Sequence, residues 1–158
     1  MWGDDSGECS KFACIPALFY ISEYIKGNKS TKSIKEKFKE KFGISFDRLM
    51  LLDLADDGRC VNPSKYVLFN DLFNGLMDKH ITDNLADDHK ALSRKLSLLK
   101  NDENWGYLFE TMKALCDVVA LKADLGIRIR KAYDSRNTDE LKIIADTVQK
   151  VSARIINN

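Results

Sequence analysis

Residues 106–133 read GYLFETMKALCDVVALKADLGIRIRKAY, and their period decides the fold class. At about 100° per residue, Glu110, Lys113, Asp117, Asp124, Arg128 and Lys131 fall within an arc of about 60°. Leu108, Met112, Leu115, Val119, Ala123, Gly126 and Tyr133 lie on the far side. This spacing predicts one long amphipathic helix from about Gly106 to Tyr133. Two charges, Lys122 and Arg130, project into its apolar arc. A charge in that position needs a carboxylate, a carbonyl, or an interface that supplies one. Gly126 at mid-helix costs about 1 kcal/mol relative to Ala, so a close helix contact is expected there.

The flanking sequence is helical in the same way. Leu85, His89, Leu92, Leu96 and Leu99 form a stripe, which predicts a helix over about Leu85 to Leu99, with His89 as a satisfied core-edge histidine. The last helix runs from about Asp139 to Ile156. Leu141, Ile144, Ala145, Val148, Val151, Ser152 and Ile155 are expected inward. Asn137 or Thr138 caps it, with Glu140 placed as in a capping box.

Toward the N-terminus, Pro16 and Gly27 bracket a helix from about Pro16 to Lys26. Ala17, Leu18, Ile21, Tyr24 and Ile25 form its apolar face, while Phe19 and Tyr20 point elsewhere. A helix of this kind needs partners on two sides. Ser30 or Thr31 caps a second helix that ends at Gly43 and carries the stripe Ile34, Phe38 and Phe42. Lys29, Lys32, Lys35, Lys37, Lys39 and Lys41 surround that stripe. They make either a basic binding patch or a solvated face, and charge runs on one helix usually face water. Ser45 caps a short helix over Phe46 to Leu54, and Asp56-Asp57-Gly58 is a turn. Asn62-Pro63 starts another short helix, in which Tyr66, Val67, Leu68 and Phe69 are expected to be buried, before Asn74-Gly75 breaks the run. Strand signals are weak throughout, apart from a stub at Met1 to Trp2. The fold class expected is mainly α.

Composition bounds the function. The 158 residues suffice for one domain with a real core, and 44% apolar with 31% charged is ordinary for a globular chain. A net charge of +1 gives no global field for nucleic acid or membrane, and neither is an expected partner. No apolar run approaches the ~20 residues of a membrane-spanning helix, and the polar start gives no signal peptide. Cys9, Cys14, Cys60 and Cys116 form no C-x-x-C pair, and His80 and His89 stand at no ligand spacing from them. They read as reduced structural thiols of a cytoplasmic protein; no metal and no cofactor are expected.

There is no P-loop, no G-x-G-x-x-G, no H-E-x-x-H and no G-x-S-x-G, so the chain carries no complete catalytic site of its own. The one dense polar cluster is Asp4, Asp5 and Glu8 beside Trp2. An indole covers the apolar face of a pyranose, and a carboxylate accepts hydrogen bonds from its hydroxyls. Short acidic stretches at termini are also commonly just solvated. The surrounding Trp2-Gly3-Asp4-Asp5-Ser6-Gly7-Glu8 reads as a strand-to-helix loop taken from a longer chain.

Trp2-Gly3-Asp4-Asp5-x-Gly7-Glu8-Cys9-Ser10, followed by Ile15-Pro16-Ala17-Leu18, resembles the end of the last barrel strand and its helix in family 20 glycoside hydrolases. The resemblance is to the bacterial β-N-acetylhexosaminidases that carry an extra helical C-terminal domain. Asn62-Pro63-Ser64-Lys65-Tyr66, Gly75-Leu76-Met77-Asp78, Tyr107-Leu108-Phe109-Glu110, Ala114-Leu115-Cys116-Asp117-Val118 and the stretch from Leu125 to Tyr133 are similar to that domain. The departures are Ser6, where the family has Gly, and Leu72, where it has Pro.

The resemblance implies that residues 1–27 are the remnant of barrel strand 8 and helix 8 of a (β/α)8 barrel, and that 28–158 form the helical domain. It also implies retaining, substrate-assisted hydrolysis of a terminal N-acetylhexosamine, with an Asp-Glu pair on an earlier barrel strand that this chain does not contain. Trp2 would then be a wall of the sugar pocket and Asp4 an acceptor for distal hydroxyls. The other reading is a free-standing helical interaction or dimerisation module unrelated to sugars. Lys122, Arg130 and the two-sided first helix together ask for a second body, so a homodimer is expected, with Arg130 paired to a carboxylate within the domain or across the contact. The alternative is a carboxylate of the same core and no dimer.

Overall fold

The computed structural model describes residues 11–53 and 63–156, and no strand occurs among them. A 3-10 turn over Lys11–Cys14 leads into α1 (Ile15–Ile25), and α2 (Thr31–Phe42) follows. Then come α3 (Phe46–Leu49), with a 3-10 turn over Met50–Leu52, and α4 (Pro63–Phe69). The rest of the domain is α5 (Leu85–Ser97), α6 (Gly106–Lys122), α7 (Leu125–Asp134) and α8 (Thr138–Ile156). The expected strand stub at Met1 to Trp2, the Asp56-Asp57-Gly58 turn, Leu54, Cys9 and Cys60 lie outside the described residues.

Local chemistry sets the helix ends. After α1, the Gly27 amide donates to Tyr24 O (3.1 Å) and the Asn28 amide to Glu23 O (3.0 Å), with Gly27 at φ 96°. This double closure uses carbonyls that would otherwise be orphaned, and the left-handed φ suits Gly. Ser30 Oγ accepts the Ser33 amide at the start of α2, and Ser45 Oγ accepts the Arg48 amide at the start of α3. Asn137 Oδ1 accepts the Glu140 amide (3.0 Å) at the start of α8. The reciprocal half of a capping box is absent there, because the Glu140 carboxylate turns to Arg128 instead (2.7 Å).

The main core gathers Phe38, Leu49, Leu52, Leu92, Leu96, Phe109, Met112 and Cys116, all buried. Phe19, Phe42, Phe46 and Trp105 pack against it. Trp105 donates its indole N–H to Phe42 O (2.9 Å), so a half-buried aromatic also closes the end of α2. Two smaller clusters continue the core along the domain: Val67 and Leu85 with Val119 and Ala123, then Leu125 and Ala132 with Ile144. Helix α6 contributes to the first two. His89 is buried as expected, its Nδ1 2.8 Å from Leu85 O.

The structure corrects the sequence reading of several helices. The single helix over 106–133 is two, broken at Ala123 and Asp124. Ala123 and Leu125 stand about 200° apart on an unbroken helix, yet both are buried, at 3% and 2% exposure. The break lets each face a different cluster. Tyr133, placed inward on that helix, is 74% exposed. The inward face assigned to α1 is inverted: Leu18, Ile21, Tyr24 and Ile25 are exposed, while Phe19 packs edge-on to Phe38 (5.4 Å) and Phe42 (5.6 Å). In α8 Leu141 and Ile144 pack inward, whereas Ala145, Val148 and Ser152 face out; the side chains of Val151 and Ile155 lie outside the described residues.

Candidate functional site

Trp2 and Asp4, and Asp5 and Glu8 beside them, lie outside the described residues. The organised polar site within them is the loop that follows α4, residues 70–78, held against α6 and α7. Asn70 is buried; its Nδ2 donates to Asp78 Oδ1 (2.9 Å) and its Oδ1 accepts the Met77 amide (3.0 Å). Asp71 accepts the amides of Phe73 (2.8 Å) and Asn74 (2.7 Å), folding the chain into a tight turn. Those amide hydrogen bonds, from Asn74 first and then Phe73, with the nearby charge of Arg130, hold the Asp71 carboxyl below the usual carboxylate range against a smaller desolvation effect. Gly75 takes φ 63°. A Cβ there would stand 2.6 Å from Arg130 Nη2 and from Asp78 Oδ2, so sterics and backbone conformation both require Gly.

Arg130 closes the loop. Its Nη1 donates to Leu72 O (2.6 Å) and its Nη2 pairs with Asp78 Oδ2. Lys122 Nζ donates to Leu68 O (2.6 Å) near the C-terminal end of α4, where a cation also meets the negative end of the helix dipole. Burial pushes the Lys122 amine below its ordinary value, partly offset by the charge of Asp71. The two cations in the apolar arc thus find carbonyls, and Arg130 a carboxylate, within this chain.

Gly126 is where α7 meets the loop: a Cβ on it would sit 3.0 Å from Leu72 O and 3.2 Å from Leu72 Cα. The close approach expected at Gly126 is therefore to loop backbone, not to another helix. A Pro at position 72 would keep the carbonyl that Arg130 uses, so that departure from the family pattern spares the clamp.

The end of α4 and the loop after it turn apolar side chains outward. Phe69 is 61% exposed, contrary to its expected burial, and Phe73 and Leu76 are 75% and 72% exposed. Tyr66, by contrast, stacks on His80 with ring centroids 4.1 Å apart. Sequence reasoning identified Gly75, Gly126, Lys122 and Arg130 as special but missed Asn70, Asp71 and Asp78. The only sequence signal for those three was their closeness to Asn74-Gly75.

The lysine-rich face of α2 is a second candidate. Thr31, Lys32, Lys35, Glu36, Lys39, Ser45, Phe46 and Asp47 line an open cleft of 420 Å³. Lys35 pairs with Asp47 (2.6 Å), and Lys32 lies 4.0 Å from Glu36. On the other side of α2, Lys37 joins Lys26 on the buried Glu23. These pairs neutralise much of the stripe and fit a solvated, salt-bridged face. No group of three His, Cys, Asp or Glu with metal-ligand geometry occurs among the described residues. Cys14 Sγ donates to Lys11 O (2.7 Å), and Cys116 is buried in the main core.

The family model of the glycoside hydrolase 20C C-terminal domain matches residues 47–157. The chain belongs to this family. The match runs from α3 through α8 and takes in the whole loop clamp of the 20C C-terminal domain, including Asn70, Asp71, Gly75, Asp78, Gly126 and Arg130. No curated protein matches the chain. No helix among the described residues of this domain is long and apolar enough to cross a membrane.

Proposed function

We propose that the chain is the C-terminal helical module of an exo-acting β-N-acetylhexosaminidase that works by retaining, substrate-assisted hydrolysis. The observation that carries this is the match of residues 47–157 to the C-terminal domain of a glycoside hydrolase 20C. In this reading residues 1–27 are the end of a barrel and 28–158 the appended domain. The catalytic Asp-Glu pair belongs to the barrel, in which the acetamido oxygen of the substrate attacks the anomeric carbon. The module supplies one wall of the sugar pocket through Trp2, a hydrogen-bond acceptor for distal hydroxyls of the terminal N-acetylhexosamine through Asp4, and contacts that hold the fold together. The enzyme is cytoplasmic, which fits the thiols of Cys14 and Cys116.

Asp4→Ala and Trp2→Ala in the polypeptide that joins this module to its barrel provide the test. A charge-assisted hydrogen bond contributes about 1.5–3 kcal/mol. Because it holds ground and transition states alike, Asp4→Ala should raise KM and lower kcat/KM roughly 10- to 150-fold. Unchanged kinetics in both variants remove Trp2 and Asp4 from the pocket.

A further inference from the structure

We infer, on the reading of Trp2 and Asp4 as pocket residues, that Phe12 and Trp105 are positioning residues of that pocket. The helical domain seats Phe12 and Ala13 on its own core, and so fixes the chain eight positions after Asp4.

The seat is held from within the domain. Asp102 Oδ1 accepts the amides of Asn104 (3.1 Å) and Trp105 (3.0 Å), and the Gly106 amide donates to Asp102 O (2.9 Å). A Cβ on Gly106 would collide with Lys100 O, so the loop closes this tightly only because residue 106 is Gly. The indole N–H of Trp105 donates to Phe42 O (2.9 Å). Trp105 is thus fixed by its backbone at one end and by its ring nitrogen at the other. Phe12 meets this fixed ring edge-on, with centroids 6.4 Å apart. Beside it, Ala13 is buried in the main core at 5% exposure, and the Cys14 thiol closes the turn on Lys11 O.

Position gives the seat its use. Trp105 lies within residues 47–157, which match the family's C-terminal domain, whereas Phe12 and Ala13 precede them. The contact therefore ties the domain to the segment that leads out of Trp2 and Asp4. A stretch of eight residues with an untethered end samples distances of about 15 Å. A hydrogen bond to a sugar hydroxyl tolerates only about half an ångström. Fixing the end of the stretch in advance removes part of the entropy that sugar binding must otherwise overcome.

Kinetics with a chromogenic N-acetylglucosaminide, on the polypeptide that joins this module to its barrel, provide the test. Phe12 is 43% exposed, so Phe12→Ala removes the edge contact and leaves the core packed. It should raise KM roughly 2- to 10-fold with kcat unchanged, because lost placement weakens ground and transition states alike. Phe12→Tyr keeps the ring and should restore KM. In a background carrying both Trp2→Ala and Asp4→Ala, Phe12→Ala should raise KM no further, since the side chains it places are gone. Trp105→Phe loses the bond to Phe42 O and should shift KM in the same direction, which carries the test if Phe12→Ala fails to fold. An unchanged KM in the Phe12 and Trp105 variants, a Phe12→Tyr enzyme that stays impaired, or an equal rise with and without Trp2 and Asp4 would each overturn the positioning role and leave the pocket in place. Unchanged kinetics in Trp2→Ala and Asp4→Ala themselves remove the pocket, and the positioning role with it.

Discussion

Arg130 is the residue on which the loop depends. It satisfies Leu72 O and Asp78 together, and both partners are part of a turn that includes the left-handed Gly75. The pair is about one-quarter to one-third exposed, so water softens the loss of either member. Arg130→Met should lower stability by about 2 kcal/mol, read as a fall in melting temperature, because the Asp78 charge and a carbonyl lose their donor. An unchanged melting temperature would make Arg130 an ordinary solvated side chain. Asp71 offers a pH handle. Its carboxyl and that of Glu23 are both held below their ordinary values of 3.8 and 4.5, the first mainly by backbone amides and the second mainly by Lys37 and then Lys26. The folded state therefore binds fewer protons than the unfolded chain in acid. Their stabilisation is complete above the ordinary values and is lost as pH falls through the lowered ones. Asp71→Asn keeps an oxygen acceptor for the Phe73 and Asn74 amides but cannot ionise, so it should lower the melting temperature modestly at neutrality and flatten the profile as pH falls below about 4, where the two chains converge. A profile parallel to that of the unaltered chain would contradict this.

At the scale of elements, α1 shows how a pattern is legible while its orientation is not. The i, i+3, i+7 spacing of Leu18, Ile21 and Ile25 is real, but these side chains are 46–78% exposed. The aromatic neighbours win the inner face: Phe19 edges onto Phe38 and Phe42, and Tyr20 meets Phe46 while its hydroxyl bonds Thr31 Oγ1 (2.8 Å). Glu23 follows them inward because Lys26 and Lys37 neutralise it. Phe19→Ala should cost about 2–3 kcal/mol, near the low end for a core aromatic because Phe19 is only half-buried. Ile25→Lys should change stability by less than about 0.5 kcal/mol. Chemical denaturation of both variants checks the orientation, and the reverse order would restore the face expected from spacing. The break between α6 and α7 has the same origin. Summed periodicity reads as one helix, and only the competition between two clusters for Ala123 and Leu125 divides it.

At the scale of the whole molecule, the carboxylates that are placed precisely serve the fold. Asp78 holds Arg130, Glu140 holds Arg128, and Asp117 takes Ser93 Oγ (2.6 Å) and Lys113. The chain alone should therefore hydrolyse no N-acetylglucosaminide or N-acetylgalactosaminide. Incubation with a chromogenic N-acetylglucosaminide checks this, and turnover that survives repurification and depends on Asp4 would reverse it.

The sequence by itself determined the family and most of the elements, though not the break between α6 and α7. Caps such as Ser30, Ser45 and Asn137, and stop signals such as Gly27 and Gly43, act within one helical turn, so residues near in sequence suffice to place them. The ordered stretches from Asn62-Pro63 to Tyr133 identified the domain that the family match over 47–157 shows. Sequence also marked Lys122 and Arg130 as charges in need of partners. It did not say which partners, because Leu68, Leu72 and Asp78 stand more than fifty residues away and meet them only when α4 and its loop dock on α6 and α7. That docking, together with the packing of α1 on α2, decided which apolar side chains are inside. Periodicity gives a helix a face, but the choice between two apolar faces is made by the neighbour that fills its contacts first, and the neighbour is supplied by the tertiary structure alone.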